Sequence, residues 1–130
     1  MALVGLMASA PLSAAQASDL EIRARNLVSH YFSALMQGDT KTVLRLIDGE
    51  LLLNRKELLE NPEYSEYLSR NYRNSTVSIR DSRQVADNRV EVDASIKKSA
   101  EEQFTVLLLV ESMDEADEVL LIVSEQDAAN

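Results

Sequence analysis

Leu20, Ala24, Leu27, Val28, Tyr31 and Leu35 recur at three- and four-residue intervals, the period of an α-helix that buries one face. Ser18 followed by Glu21 forms the pattern of a capping box at its start, and Gly38 supplies a left-handed stop at its end. Asp39 then caps a second helix whose apolar stripe is Val43, Leu44 and Ile47, with Gly49 ending it. Leu51-Leu52-Leu53 is expected to be a short extended or turn segment, and Asn54 to cap a short helix running to Glu60. Asn61-Pro62 starts a further helix to about Tyr72, because proline is tolerated at the first helical position.

After Asn74 the period drops to two, which predicts four strands over 76–85, 89–98, 103–112 and 118–124. In the second, Val90, Val92, Ala94 and Ile96 alternate with Glu91, Asp93, Ser95 and Lys97, so one face is wet. The third and fourth behave differently. Phe104, Val106, Leu108 and Val110 point one way and Thr105, Leu107 and Leu109 the other, while Leu120 and Ile122 oppose Val119, Leu121 and Val123. Helices cover one face of such a sheet, and a second apolar face calls for a second copy of the chain or another protein. The connections are short, so consecutive strands pair as antiparallel neighbours. The expected fold class is α+β, with N-terminal helices packed on the concave face of a curved antiparallel sheet of about four to five strands.

The stretch from Met1 to Ala17 has no charge, an apolar run, a break at Pro11 and a small-residue ending at Ala15-Gln16-Ala17. That pattern is a secretory signal and is too short for a membrane span, which needs about 20 apolar residues. The domain organisation is then a signal peptide over 1–17 and a single domain over 18–130, exported to the periplasm or secreted. There is no cysteine, so disulfides, thiolate nucleophiles and thiolate metal sites are excluded. Three glycines and two prolines leave no Gly-rich phosphate loop.

The net charge of −9 sits entirely between Ser99 and Asn130, a stretch with nine acidic residues and no lysine or arginine. Nucleic-acid and anionic membrane surfaces need the opposite sign. The turn at Asp114-Glu115-Ala116-Asp117-Glu118 lacks the alternating ligands and glycine of a calcium loop and reads as a solvated hairpin. His30 is the only histidine and reads as structural or surface, since one imidazole makes no zinc site. Arg70, Arg73, Arg80, Arg83 and Arg89 are interspersed with acids and read as surface pairs. Asn74-Ser75-Thr76 matches the N-glycosylation pattern, which matters only in a eukaryotic secretory route. Tyr64, Tyr67, Leu68 and Tyr72 share a helical face and, with Tyr31, are the candidate pocket-lining residues, Tyr67 being the most central of the stripe. No cofactor and no metal is indicated.

The first helix ending in Tyr31-Phe32-Ser33-Ala34-Leu35, the Gly38-Asp39 hinge, the Val43-Leu44-Arg45-Leu46-Ile47 second helix and the order of helices before strands resemble the nuclear transport factor 2-like superfamily. That superfamily includes ketosteroid isomerases, scytalone dehydratases and SnoaL-like polyketide cyclases. The resemblance implies a cone-shaped fold that binds small apolar molecules or is filled by side chains. It implies for chemistry a helix-one tyrosine as oxyanion donor, a carboxylate base after the second helix and a protonated acid on a strand. Tyr31 matches the first, whereas the base position falls at Asn54 or Arg55, neither of which abstracts a proton at neutral pH. Asp93 lies on the wet face of its strand. The expectation is therefore a non-catalytic exported binding or assembly module, a homodimer through its sheet with a small apolar cavity or a protein-binding sheet face. The alternative is a small-molecule isomerase, dehydratase or cyclase that uses Tyr31 and an acid such as Asp48 or Glu50.

Overall fold

The computed structural model describes residues 18–114 and 119–128. Helix α1 (Asp19–Gln37) begins where Ser18 Oγ accepts the Glu21 N–H at 3.1 Å. The reciprocal half of the expected capping box is not made, because the Glu21 carboxylate accepts instead from Ser82 Oγ on a strand at 3.2 Å. Gly38 ends the helix with φ 70°, and Ser65 Oγ donates to its carbonyl at 2.5 Å. A side chain at Gly38 would be strained by that φ and would collide with the Ser65 carbonyl oxygen. Asp39 then caps α2 (Thr40–Leu46) by accepting the Thr42 N–H at 3.3 Å and the Thr42 hydroxyl at 2.7 Å.

The second helix stops earlier than Gly49. Ile47 is extended and forms a parallel bridge with Ile122, and the Asp48 N–H donates to the Ile122 carbonyl at 2.9 Å. Gly49 opens α3 (Gly49–Leu59) instead of closing α2, so Leu51-Leu52-Leu53 is helical and Asn54 is an interior residue with no capping role. The helical period explains the three leucines: Leu51 is buried, Leu52 partly so, and Leu53 is 83% exposed. Asn61 accepts the Glu63 N–H at 3.0 Å and Pro62 opens α4 (Pro62–Asn71), as expected.

The strands are β1 (Thr76–Ala86), β2 (Arg89–Lys97), β3 (Gln103–Ser112) and β4 (Leu120–Asp127), antiparallel throughout in the order β1-β2-β3-β4. The chain is thus an α+β domain in which α1, α2 and α3 pack on the sheet and α4 packs on α1 and α3. Val90, Val92, Ala94, Ile96, Val106, Leu108, Val110 and Ile122 form the helix-facing side, and with Val28, Phe32, Leu35, Val43 and Leu51 they make one buried core. The hydroxyl of Ser75 is buried without a partner, and nothing in the fold accounts for it.

A bulge in β4 decides which side chains point inward. Val110 opposes Ile122 but Leu109 opposes Ser124, so Val123 has no partner across the ladder. Strict alternation would carry Ile122, Ser124 and Gln126 inward. After the bulge it is Glu125 that stands opposite Leu108, on the helix-facing side. The outer face divides in two. On β1 and β2 Arg83 meets Glu91 at 2.9 Å and Asp93 at 3.3 Å, and Arg89 meets Glu111 of β3 at 3.0 Å. On β3 and β4 the neighbouring outer residues are Leu107, Leu109 and Leu121, each partly buried.

Candidate functional site

Three elements far apart in sequence bring one charged group each, or one hydroxyl, to a single point under the helices. Tyr31 sits on the sheet-facing side of α1, 1% exposed, its ring edge-on to Phe32 at 5.1 Å. Its hydroxyl donates to Glu125 Oε1 at 2.5 Å. Arg55 lies on α3 midway between buried Leu51 and Leu59, at the four-residue spacing that stacks side chains on one face. Its Nη1 reaches 3.7 Å from the same Glu125 oxygen, an ion pair without a close hydrogen bond.

The other three tyrosines lie on α4 or just past its end. Tyr64 and Tyr67 on α4 stack with ring centroids 5.6 Å apart and planes 17° from parallel. Tyr72, just past α4, carries the Lys98 ammonium 5.1 Å from its ring centroid, and Lys98 also donates to Asn71 Oδ1 at 3.0 Å. Tyr31, Tyr64 and Tyr72 therefore all feel the charges of one Arg–Glu pair, and Tyr67 joins them through its stack with Tyr64.

The electrostatics follow from burial and from that pair. Burial pushes the Tyr31 phenol well above its ordinary value, and the Glu125 carboxylate, by charge and by accepting the phenolic proton, pushes it further than Arg55 pulls it back. Tyr72 is raised by burial and then by Glu125, and Tyr64 by burial with Arg55 opposing. Burial alone would lower Arg55, but the Glu125 charge, with the Tyr31 and Tyr64 hydroxyls, more than offsets it. The phenols stay protonated and the guanidinium stays charged.

The residues expected from sequence fall in different places. Tyr31 is at the centre, Tyr64 is half-buried beside Arg55, and Tyr67 is 49% exposed on the outer side of the stack. The carboxylate beside Tyr31 is neither Asp48, which stands at the start of α3 without making a side-chain cap, nor Glu50, which is exposed. Asn54 is exposed and Asp93 is held by Arg83 on the outer face. His30 is exposed on α1. The Met1–Ala17 stretch and most of the Asp114–Glu118 turn lie outside the described residues.

Glu125 escaped sequence reasoning because strict alternation places it on the outer face and the fourth strand was expected to end at 124. A signal for Arg55 did exist. Leu51, Arg55 and Leu59 share one helical stripe, so a charged residue stands where the period asks for an apolar one. A separate surface groove of about 250 Å³ lies between α1 and β1, lined by Ser29, Phe32, Ser33, Met36, Gln37 and Val77, with no ionisable group in its wall. Among the described residues no three His, Asp or Glu side chains gather in a metal-holding group, and no helix is long and apolar enough to cross a membrane.

Fold and site together define an α+β domain with a partly exposed Arg–Glu pair between helices and sheet, its carboxylate bonded to a buried tyrosine. No protein-family model, curated protein or solved structure matches the chain.

Proposed function

We propose that the chain is a non-catalytic binding module of the nuclear transport factor 2-like type, exported, and joined as a homodimer through its outer sheet face. It takes a small molecule with an apolar ring at the end of the domain lined by Tyr64, Tyr67 and Tyr72. The observation that carries this reading is the Tyr31–Glu125–Arg55 group. A general base must be free to take a proton from a substrate, and an oxyanion donor must offer its hydroxyl to one. Here the hydroxyl is given to Glu125, and that carboxylate faces Arg55. The Tyr31 hydroxyl and the Glu125 carboxylate are thus engaged with each other and not offered to a substrate, which leaves binding, with the aromatic surface as the part that packs on a ligand.

The outer face supports a second copy as the partner. Leu107, Leu109 and Leu121 adjoin one another, while the charged half of the same face is paired internally, so two copies can meet without opposing unpaired like charges. Sedimentation velocity of the full chain at micromolar concentration tests this: a dimer is expected, and Leu109→Lys should yield a folded monomer. A wild-type chain that sediments only as monomer refutes the dimer.

The catalytic alternative is favoured by one feature, a carboxylate within hydrogen-bond reach of Tyr31, which here is Glu125. It requires solvent deuterium to enter the carbon next to the carbonyl of a bicyclic enone in the presence of the protein, and requires Tyr31→Phe to stop it.

A further inference from the structure

Of the two positions at which the resemblance places a catalytic base, Asn54 and Arg55, the second carries a cation, and that cation is not consumed by its partner. Arg55 approaches Glu125 at 3.7 Å, beyond a close hydrogen bond, and its side chain is 34% exposed. The Glu125 oxygen it faces already accepts the Tyr31 hydroxyl at 2.5 Å. A guanidinium has five donors in a planar fork; Glu125 and the Tyr31 hydroxyl engage one side of it, which leaves donors for a planar anion arriving from solvent. Its surroundings suit one with a ring attached. The Tyr64–Tyr67 stack stands on α4, where Tyr64 feels the Arg55 charge, and Tyr72, just past that helix, lies under the Lys98 ammonium, a second cation.

We infer that Arg55 anchors the carboxylate of a small aromatic acid whose ring packs on Tyr64 and Tyr72, with Lys98 adding a second positive charge at the rim. This rests on the ligand-binding reading above and specifies its chemistry. Glu125 is then a positioning residue: it holds the guanidinium against the tyrosines, and it also competes with the incoming carboxylate for it. The competition has a consequence that a merely structural ion pair lacks. Neutralising Glu125 should tighten the binding of an anion, and neutralising Arg55 should weaken it.

The test uses 2-naphthoate and its neutral isostere 2-naphthamide as probes, titrated into the full chain by calorimetry, with the tyrosine ring signals followed by NMR. The expected result is that naphthoate binds about 10- to 100-fold more tightly than the amide, the range set by a hydrogen bond to a charged group. Arg55→Gln should remove that preference by weakening naphthoate far more than the amide. Glu125→Gln, whose amide oxygen still accepts from Tyr31, should increase naphthoate affinity several-fold, about as one competing charge at this exposure allows. Thermal melts of both variants show that each is folded. Equal affinity for the two probes, with Tyr64 and Tyr72 signals moving, overturns the anion inference and leaves the ring-binding reading standing. Failure of both probes to bind at millimolar concentration, or movement of Phe32 in the α1–β1 groove in place of the tyrosines, overturns both.

Discussion

Tyr31→Phe isolates the bond that ties the first helix to the last strand. The ring is 1% exposed and fits edge-on against Phe32, so phenylalanine keeps the packing and removes only the hydroxyl. A hydrogen bond to a charged group contributes about 1.5–3 kcal/mol. Glu125 keeps Arg55 and is 14% exposed, so its carboxylate is not left wholly unpaired, and a loss of about 1–2 kcal/mol is expected at pH 7. For a domain near 100 residues this lowers the melting midpoint by about 5–10 °C. The pH dependence is the sharper part. The folded-state pKa of Tyr31 is raised well above 10.0, so the folded protein holds a proton that the unfolded chain has released. Its contribution is fully present below pH 10 and declines as pH rises from there toward the folded value, by up to about 1.4 kcal/mol per pH unit for one proton. Urea unfolding of wild type and Tyr31→Phe between pH 8 and pH 11 measures this. The gap between them should hold constant to about pH 10 and close above it. A gap that stays constant throughout would mean that the Tyr31 hydroxyl is not buried on Glu125, and the assignment of the site would fail with it.

Gly38→Ala should destabilise the domain by about 2–4 kcal/mol in urea unfolding, since it combines a left-handed φ with a collision against the Ser65 carbonyl. Asn61→Ala removes the cap of α4 and should cost about 1 kcal/mol, with amide exchange in that helix speeding up more than exchange in β2. Arg83→Gln breaks contacts to three acids on the exposed outer face and should change the unfolding midpoint little, within about 1 kcal/mol. Its effect should shrink further in 1 M salt.

Helix and strand positions were legible in the chain wherever local chemistry and period agreed. Ser18, Gly38, Asp39 and Asn61-Pro62 act in the structure at the boundaries that were expected of them, and β2 alternates as its sequence does except at Ser95, which is buried and accepts from Gln103. The stretch from Ile47 to Asn54 was misread because its fate is settled by a partner absent from the local pattern. Ile47 leaves α2 to bridge Ile122, residues distant in sequence, and that early exit lets the three leucines begin a helix instead of a turn. Glu125 depends on a contact of the same kind. A period-two reading assigns every residue of a strand to a face from any one of them, but a single unpaired residue reverses the assignment for all that follow. Val123 is that residue, and nothing in Leu-Leu-Ile-Val-Ser-Glu marks it as the one to be left out. The consequence reaches the function. With regular alternation the inner face would offer Tyr31 the Ser124 hydroxyl in place of a carboxylate, and the partly exposed Arg55 would have no counter-ion beside it. The bulge supplies the carboxylate that pairs with Arg55 and accepts from Tyr31, and so holds the arginine where a ligand can reach it.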